Sequence, residues 1–298
     1  MKKIKIRCPY FMLLVLTSVL FGCFYMLGGN LFPNQTKTEA AEKAQNVRSE
    51  SIWENGAAQG DTAGQEQNVP EQNVPEDSVS GDAGKPDANA EASVQKEHEE
   101  IVLDTEEAVQ EYLSGTLFIG DSRTATLQEY AGWDRAHFYV KYGLTIWDVL
   151  DEKLVEYGGE KITVDEALQK RKFKRIYIML GINELGRGTA ETFAEQFGAV
   201  VGRIQELQPD AIIVVEAIMH VTKEKDEEKT YINNTEINAR NDELKKMAER
   251  LGVYWLDVNQ ATDDEETQCL DSQYSFDGVH LKVKYLDVWK NFILEHPF

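Results

Sequence analysis

Two short clusters, far apart in the chain, contain residues of the types that could attack a carbonyl together. Gly120-Asp121-Ser122 follows the apolar run 116–119, and Asp277 stands three residues before His280 near the end of the chain. A serine at the end of a strand is exposed at the sheet edge, and a nearby carboxylate can hold a histidine in the tautomer that a general base needs. This order and separation indicate the chemistry of a serine hydrolase.

With two more clusters between them, these residues resemble the sequence blocks of the SGNH (GDSL-type) hydrolase superfamily, over roughly residues 104–298. Each additional cluster follows an apolar run of its own, at 138–140 and at 176–180. The four matching blocks, in chain order, are Gly120-Asp121-Ser122, Gly143, Gly181-x-Asn183 and Asp277-x-x-His280.

The resemblance implies a role for each matching residue. Ser122 would be the nucleophile, His280 the general base and Asp277 the acid that orients the base. The oxyanion would be bound by the backbone N–H groups of Ser122 and Gly143 and by the side-chain amide of Asn183. These types suit the chemistry, because neutral, preorganised donors best stabilise the negative charge of a tetrahedral intermediate.

Three other residues near these blocks need separate interpretations. Glu184 departs from the family, in which aspartate is more usual, and we expect it to fix its loop. His220, after the apolar run 211–219, could line the substrate pocket or serve as the base instead of His280, although a partly exposed loop histidine is the simpler interpretation. Cys269 lies among carboxylates, which raise the pKa of a thiol and reduce its reactivity.

No cofactor or metal is expected. The sequence contains no His-Glu-x-x-His motif and no pair of cysteines at zinc spacing. Only one of the three cysteines, Cys269, lies in the predicted 104–298 domain, so that domain cannot form an internal disulfide. The net charge of −21 argues against nucleic acid as a partner.

The N-terminal part of the chain has the pattern of a membrane anchor. Residues 1–8 are basic and predict a cytoplasmic segment, and residues 9–29 are almost wholly apolar, long enough to cross a bilayer as a helix. The catalytic domain would then be extracellular. Two alternatives are a lipoprotein modified at Cys23 and a secreted protein released by cleavage of this segment.

Residues 30–103 predict a disordered acidic linker. They are rich in Ala, Glu, Gln, Asn, Gly and Pro, and the sequence Glu66–Pro70 is repeated at once as Glu71–Pro75. Such a stretch has too few large apolar residues to bury the surface that folding requires.

From residue 104 the pattern changes to short apolar runs alternating with amphipathic stretches. Strands are predicted near 116–119, 137–140, 175–180, 211–217 and 253–256. Helices are predicted near 105–108, 144–157, 189–207, 233–251 and 282–295. This alternation indicates an α/β fold: a three-layer α/β/α sandwich around a mostly parallel five-stranded sheet, flavodoxin-like as in SGNH hydrolases.

The expected activity is the hydrolysis of O-acyl esters, and the expected substrates are O-acetyl groups on cell-envelope or extracellular glycans. Alternatives on the same site are acyl transfer and cleavage of lipid or lysophospholipid esters, and a non-catalytic binding module is the alternative from another class. Trp133, Trp147 and Tyr274 could form a rim on which a sugar stacks, although aromatic residues at such spacings are more often core.

Overall fold

The computed structural model describes residues 101–298 of the chain. The predicted cytoplasmic segment 1–8, the predicted anchor 9–29 and nearly all of the predicted linker 30–103 lie outside the described residues. Within residues 101–298, no helix combines the length and the apolar character needed to span a membrane.

Five parallel strands form the central sheet. Their order across the sheet is β2-β1-β5-β6-β7, and a separate antiparallel hairpin pairs β3 with β4. The strands are β1 (Thr116–Gly120), β2 (His137–Val140), β3 (Val155–Tyr157), β4 (Glu160–Ile162), β5 (Arg175–Met179), β6 (Ile212–Glu216) and β7 (Tyr254–Leu256). All five predicted strands are present in the sheet.

Helices connect the strands and cover both faces of the sheet. Of the described helices, α4 and α6 are the longest, and both begin after a capping residue, Thr189 and Asn233 respectively. The helices are α1 (Glu106–Ser114), α2 (Ser122–Tyr130), α3 (Val164–Lys170), α4 (Ala190–Leu207), α5 (Lys223–Glu227), α6 (Asn234–Leu251), α7 (Asn259–Thr262) and α8 (Leu286–Glu295). Three short 3₁₀ turns lie at Ile182–Glu184, Ser272–Tyr274 and Val283–Tyr285.

Alternate residues of each strand face two separate apolar layers. On one face, Ile176 and Ile178 of β5 pack with residues of α3, α4 and α6. On the other, Phe118 and Tyr177 pack with residues of α1, α2 and α8. Burial on both faces explains why these strands are almost continuously apolar. The predicted three-layer α/β/α sandwich is confirmed.

The helix predicted near 144–157 is wrong. The chain there forms turns and then the hairpin of β3 and β4. Its turn is Gly158-Gly159, in which both residues have positive φ, 63° and 89°, as the tight turns of two-residue hairpins require. Helix α3 begins only after Thr163, whose side chain forms a capping box with Glu166.

Candidate active site

The strand β1 delivers Ser122 to the carboxyl edge of the sheet. The strand ends at Gly120, and Asp121 caps helix α2 by accepting a hydrogen bond from the Arg123 N–H at 2.9 Å. Ser122 is therefore the first residue of α2, where backbone N–H groups have no partner within the helix. In parallel α/β sheets this edge is where ligands bind.

A continuous hydrogen-bonded chain joins the predicted nucleophile, base and acid. Ser122 Oγ lies 2.8 Å from His280 Nε2, and His280 Nδ1 lies 2.7 Å from Asp277 Oδ2. Since a carboxylate can only accept, Nδ1 carries the proton and Nε2 is free to accept from the serine hydroxyl. The structure thus brings together residues that lie 158 positions apart in the sequence.

The Asp277 carboxylate also fixes the loop that carries the histidine. Its Oδ1 accepts hydrogen bonds from the backbone N–H groups of Val279 and His280, both at 2.9 Å. Burial raises the pKa of Asp277, but the hydrogen bond and charge of His280 and these two N–H groups outweigh it, so the pKa lies well below its usual range. Asp277 is consequently ionised at neutral pH.

The two predicted oxyanion loops lie against each other. The Asn183 side chain donates from Nδ2 to the carbonyl oxygen of Leu144 at 3.0 Å, next to Gly143. Gly143 itself is exposed and has a φ of 73°. The Lys141 N–H donates to the Gly120 carbonyl at 3.3 Å, which holds the start of the Gly143 loop beside the strand that carries Ser122.

Glu184 holds the same two loops together from inside. Its side chain is fully buried, and its Oε1 accepts a hydrogen bond from the Ile146 N–H at 2.5 Å. Burial raises the pKa of Glu184 to about 8, opposed by the Ile146 N–H and reinforced by the charge of Asp121. The contact agrees with the expected role of fixing the loop, and the carboxyl group that does so is mostly protonated at neutral pH.

The expectation that His220 is a partly exposed loop residue is wrong. Its side chain is buried, with Nδ1 2.7 Å from Asp263 Oδ2 and Nε2 2.8 Å from Asn238 Oδ1. Burial lowers the pKa of His220, but the hydrogen bond and charge of Asp263, assisted by Asn238, more than offset this, so the pKa is raised. Both ring nitrogens are occupied away from Ser122, whose hydroxyl contacts His280.

The three aromatic residues expected at a sugar-binding rim have different environments. Trp133 is buried and packs on Phe118, with ring centroids 5.3 Å apart, so it belongs to the core. Tyr274 is half-buried against Tyr285. Trp147 alone of the three is exposed, and it follows the buried Ile146 in the Gly143 loop.

One exposed ring beside the site, that of Phe276, is not among the residues predicted from the sequence. Phe276 directly precedes Asp277, and 51% of its surface is accessible. The amino group of Lys282 lies 4.6 Å from the centre of its ring. The signal in the sequence is the position of this large apolar ring, directly before the Asp277-x-x-His280 block.

Cys269 is not placed to compete with the serine. It is buried, and its Sγ donates to the Thr267 carbonyl at 3.4 Å. Burial raises the pKa of its thiol, and the charges of Asp226 and Asp263 raise it further. Across residues 101–298, His, Cys, Asp and Glu side chains form no group of three or more that could hold a metal ion. The absence of a metal in the whole chain stays a prediction.

Comparison with known proteins gives one family match. The model of the GDSL-like Lipase/Acylhydrolase family matches residues 118–284, more than half of the chain and a range that includes every predicted site residue. None of the curated proteins compared with the chain matches it.

Solved structures with a similar fold include three bacterial proteins of low sequence identity. A candidate platelet activating factor from Streptococcus pneumonia has 19% identity and a TM-score of 0.49, covering 63% of this chain and 91% of that one. A GDSL-like lipase from Bacteroides thetaiotaomicron has 15% identity and a TM-score of 0.45, covering 60% and 85%. Axe2, an acetylxylan esterase from Geobacillus stearothermophilus, has 16% identity and a TM-score of 0.43, covering 60% and 92%.

The raised pKa of Glu184 predicts a particular dependence of stability on pH. A carboxyl group whose folded pKa is about 8 binds more protons in the folded than in the unfolded chain between about pH 4.5 and 8. The free energy of unfolding should therefore fall as pH rises through that window. Glu184→Gln keeps an acceptor for the Ile146 N–H but cannot ionise. We therefore expect urea denaturation at pH 5, 6, 7 and 8 to show that the free energy of unfolding falls less steeply with pH in this variant than in the wild type.

The decline should be reduced rather than removed, because burial also raises the pKa of Glu216 to about 7. Glu206→Gln, at an exposed site on α4, is the matched control and should leave the slope as in the wild type. Parallel stability curves for Glu184→Gln and the wild type would contradict the assignment.

Proposed function

The chain belongs to the GDSL-like lipase/acylhydrolase family, and from this premise we propose that it is a membrane-tethered extracellular serine esterase that removes O-acyl groups, chiefly O-acetyl, from cell-envelope or extracellular glycans. Membership of the family makes the chain a carboxylic ester hydrolase. The observation that carries the catalytic assignment is the hydrogen-bonded chain from Ser122 through His280 to Asp277.

In the first step, Ser122 Oγ attacks the ester carbonyl carbon while His280 Nε2 takes the hydroxyl proton. The distance of 2.8 Å between these atoms is within direct proton-transfer range. Asp277 holds the imidazole by Nδ1 and stabilises the imidazolium that forms. The imidazolium then donates its proton to the leaving alkoxide, and the acyl group remains on the serine.

The tetrahedral intermediate needs donors for its oxyanion. The N–H of Ser122 lies at the amino end of α2, where the helix dipole also favours negative charge. An amide group has two hydrogens, so Asn183 can donate one to Leu144 and the other to the oxyanion. The Gly143 N–H supplies the third donor. Loss of one such donor typically raises the barrier by about 3–4 kcal/mol.

The second step releases the acid. A water molecule, deprotonated by His280 Nε2, attacks the acyl carbon of the Ser122 ester. The proton on His280 then returns to Ser122 Oγ as the acyl–oxygen bond breaks, which restores the starting state and yields the free carboxylic acid.

Two features favour an acylated neutral glycan as the substrate. The strong negative charge of the chain disfavours anionic polymers. The exposed rings of Trp147 and Phe276 adjoin the Gly143 loop and the Asp277–His280 loop respectively, and such rings can contact the apolar face of a sugar.

The tether is proposed from the sequence alone. Residues 9–29 are an apolar run preceded by basic residues, which is typical of a signal anchor with its remaining chain outside the cell. A substrate in the cell envelope would be within reach of a domain attached by an extended acidic linker.

Replacement of the nucleophile should abolish hydrolysis while leaving the fold intact. We expect Ser122→Ala to lose turnover of p-nitrophenyl acetate and labelling by a fluorophosphonate probe, because the attacking oxygen is gone. Ser114→Ala, in which the lost hydroxyl caps only the Glu111 carbonyl, is the matched control and should be labelled as the wild type. Circular dichroism checks the fold, and wild-type turnover by Ser122→Ala would refute the assignment.

A panel of esters tests the substrate class. We expect kcat/KM to fall at least tenfold as p-nitrophenyl esters lengthen from acetyl to octanoyl, and acetate to be released from an O-acetylated polysaccharide. Preference for long acyl chains or for lysophosphatidylcholine would replace the glycan proposal with a lipid esterase. Accumulation of newly acylated glycan in place of free acetate would indicate a transferase.

On the polysaccharide, Trp147→Ala and Phe276→Ala should raise KM several-fold but leave KM for p-nitrophenyl acetate nearly unchanged. Tyr157→Ala, at an exposed ring of the β3–β4 hairpin, is the matched control and should change neither value.

Membrane attachment is tested by extraction. The full chain should remain in the membrane fraction after an alkaline carbonate wash, whereas a variant lacking residues 1–29 should be soluble, because the apolar segment is the anchor. Mass spectrometry of the N-terminus distinguishes the retained segment from cleavage, and lipid attached at Cys23 would indicate a lipoprotein. Release of the full chain by the wash would contradict the proposal.

A further inference from the structure

Arg123, the residue directly after the nucleophile, contacts the loop Asp277–His280, which carries the general base and is called the loop of the base below. Its side chain is buried within the protein. Nε donates to the carbonyl oxygen of Val279 at 3.2 Å, and Nη1 donates to the carbonyl oxygen of Met219 at 2.7 Å. One side chain on α2 is thus bonded to two segments that follow in the chain by 96 and 156 residues.

The contact at Val279 acts on the residue that precedes His280. The Val279 N–H donates to Asp277 Oδ1 at 2.9 Å, and its carbonyl accepts from Arg123. The backbone of Val279 is therefore held from both sides, by Asp277 at its N–H and by Arg123 at its carbonyl. Its orientation sets the direction in which the His280 side chain leaves the backbone.

The other contact, at Met219, is made to a segment that is itself firmly held. Beyond the end of β6, side-chain amides bond to the backbone on either side of Met219. Asn241 bonds to both the N–H and the carbonyl of Ile218, and Asn234 does the same for Val221. The next residue, Thr222, donates its N–H to the Gly278 carbonyl at 2.9 Å. Arg123 and this segment together hold the loop of the base.

Burial of the Arg123 guanidinium group carries a large desolvation cost. Among residues 101–298, no carboxylate lies within ion-pair distance of Arg123, and its Nη2 is buried without a hydrogen-bond partner. Burial lowers the pKa of Arg123 to about 10, opposed by the charges of Asp121 and Asp277, so the guanidinium is charged at neutral pH. An apolar side chain would pack here at a lower desolvation cost, which points to a role other than stability.

We propose that Arg123 is a positioning residue of the hydrolytic site, which holds His280 at hydrogen-bond distance from Ser122 by donating to the carbonyls of Val279 and Met219. The proposal rests on the proposed catalytic roles of Ser122 and His280 and goes beyond them, because the buried Arg123 side chain bonds to backbone carbonyls and not to the side chains that react.

The test compares two variants of the full chain with the wild type. Arg123→Lys keeps the positive charge but has a single ammonium nitrogen in place of the guanidinium group. Arg123→Gln keeps one N–H donor group without the charge. With p-nitrophenyl acetate we expect kcat to fall about ten- to a hundredfold for either variant, because a displacement of about 1 Å at the reacting groups has an effect of that size. KM should stay within about twofold of the wild type.

A matched control separates positioning from stability. Gln208 is also buried and bonds to the backbone of a distant segment, at Arg171 and Phe173 before β5, but it lies at the amino edge of the sheet. Gln208→Ala should lower the melting temperature and leave kcat at the wild-type level at a temperature at which all variants are folded. An equal loss of kcat in Gln208→Ala and Arg123→Lys would overturn the proposal.

A double-mutant cycle with the base supplies the decisive readout. If Arg123 acts through His280, then Arg123→Lys lowers kcat in the native background and leaves the residual rate of His280→Ala unchanged. A merely structural role would lower both rates by the same factor. A chain that folds only with arginine at position 123 would likewise assign the residue to stability and overturn the proposal.

The same cycle distinguishes failure of the proposed catalytic function from failure of the positioning role of Arg123. Wild-type kcat in His280→Ala would refute the catalytic role of the histidine and with it the proposed function. Loss of rate in His280→Ala with wild-type kcat in Arg123→Lys would refute the role of Arg123 alone.

Discussion

The loops at the carboxyl edge of the sheet are partly buried, so their backbone groups need hydrogen-bond partners that the strands no longer supply. Side chains provide them throughout this edge. Asp121 bonds to the backbone after β1, Asn183 and Glu184 bond to the loop after β2, and Asp277 bonds to the backbone of Val279 and His280. Because each of these bonds joins or stiffens a loop of the site, the requirement to satisfy buried polar groups also determines the geometry of the site.

Two carboxyl groups of this edge differ in charge because their surroundings differ. Asp277 faces an imidazole and two N–H groups, which stabilise the carboxylate, whereas at Glu184 the effect of burial dominates and the charge of Asp121 adds to it. At neutral pH the first is ionised and the second mostly protonated. The charge that orients the base is thus present, while the group behind the oxyanion loops does not add negative charge where an oxyanion has to form.

The sequence predicts the strands of the sheet well, because buried parallel strands are apolar runs. It predicts poorly whatever depends on distant partners. The amphipathic pattern near 144–157 predicts a helix, but the chain forms turns and a hairpin there, and Gly158-Gly159 marks its tight turn. The two carbonyl partners of Arg123 belong to segments far apart in the chain, which no local pattern records.

The distance along the chain between Ser122 and His280 has a consequence for synthesis. The serine and its strand leave the ribosome long before the loop that carries the histidine, and 158 residues separate the two hydrogen-bonded side chains. Until the loop of His280 has emerged and docked on the rest of the domain, the hydroxyl has no base beside it. A nascent or truncated chain that lacks the loop of His280 therefore contains an unactivated serine, and ester cleavage begins only after that loop has been synthesised and has docked.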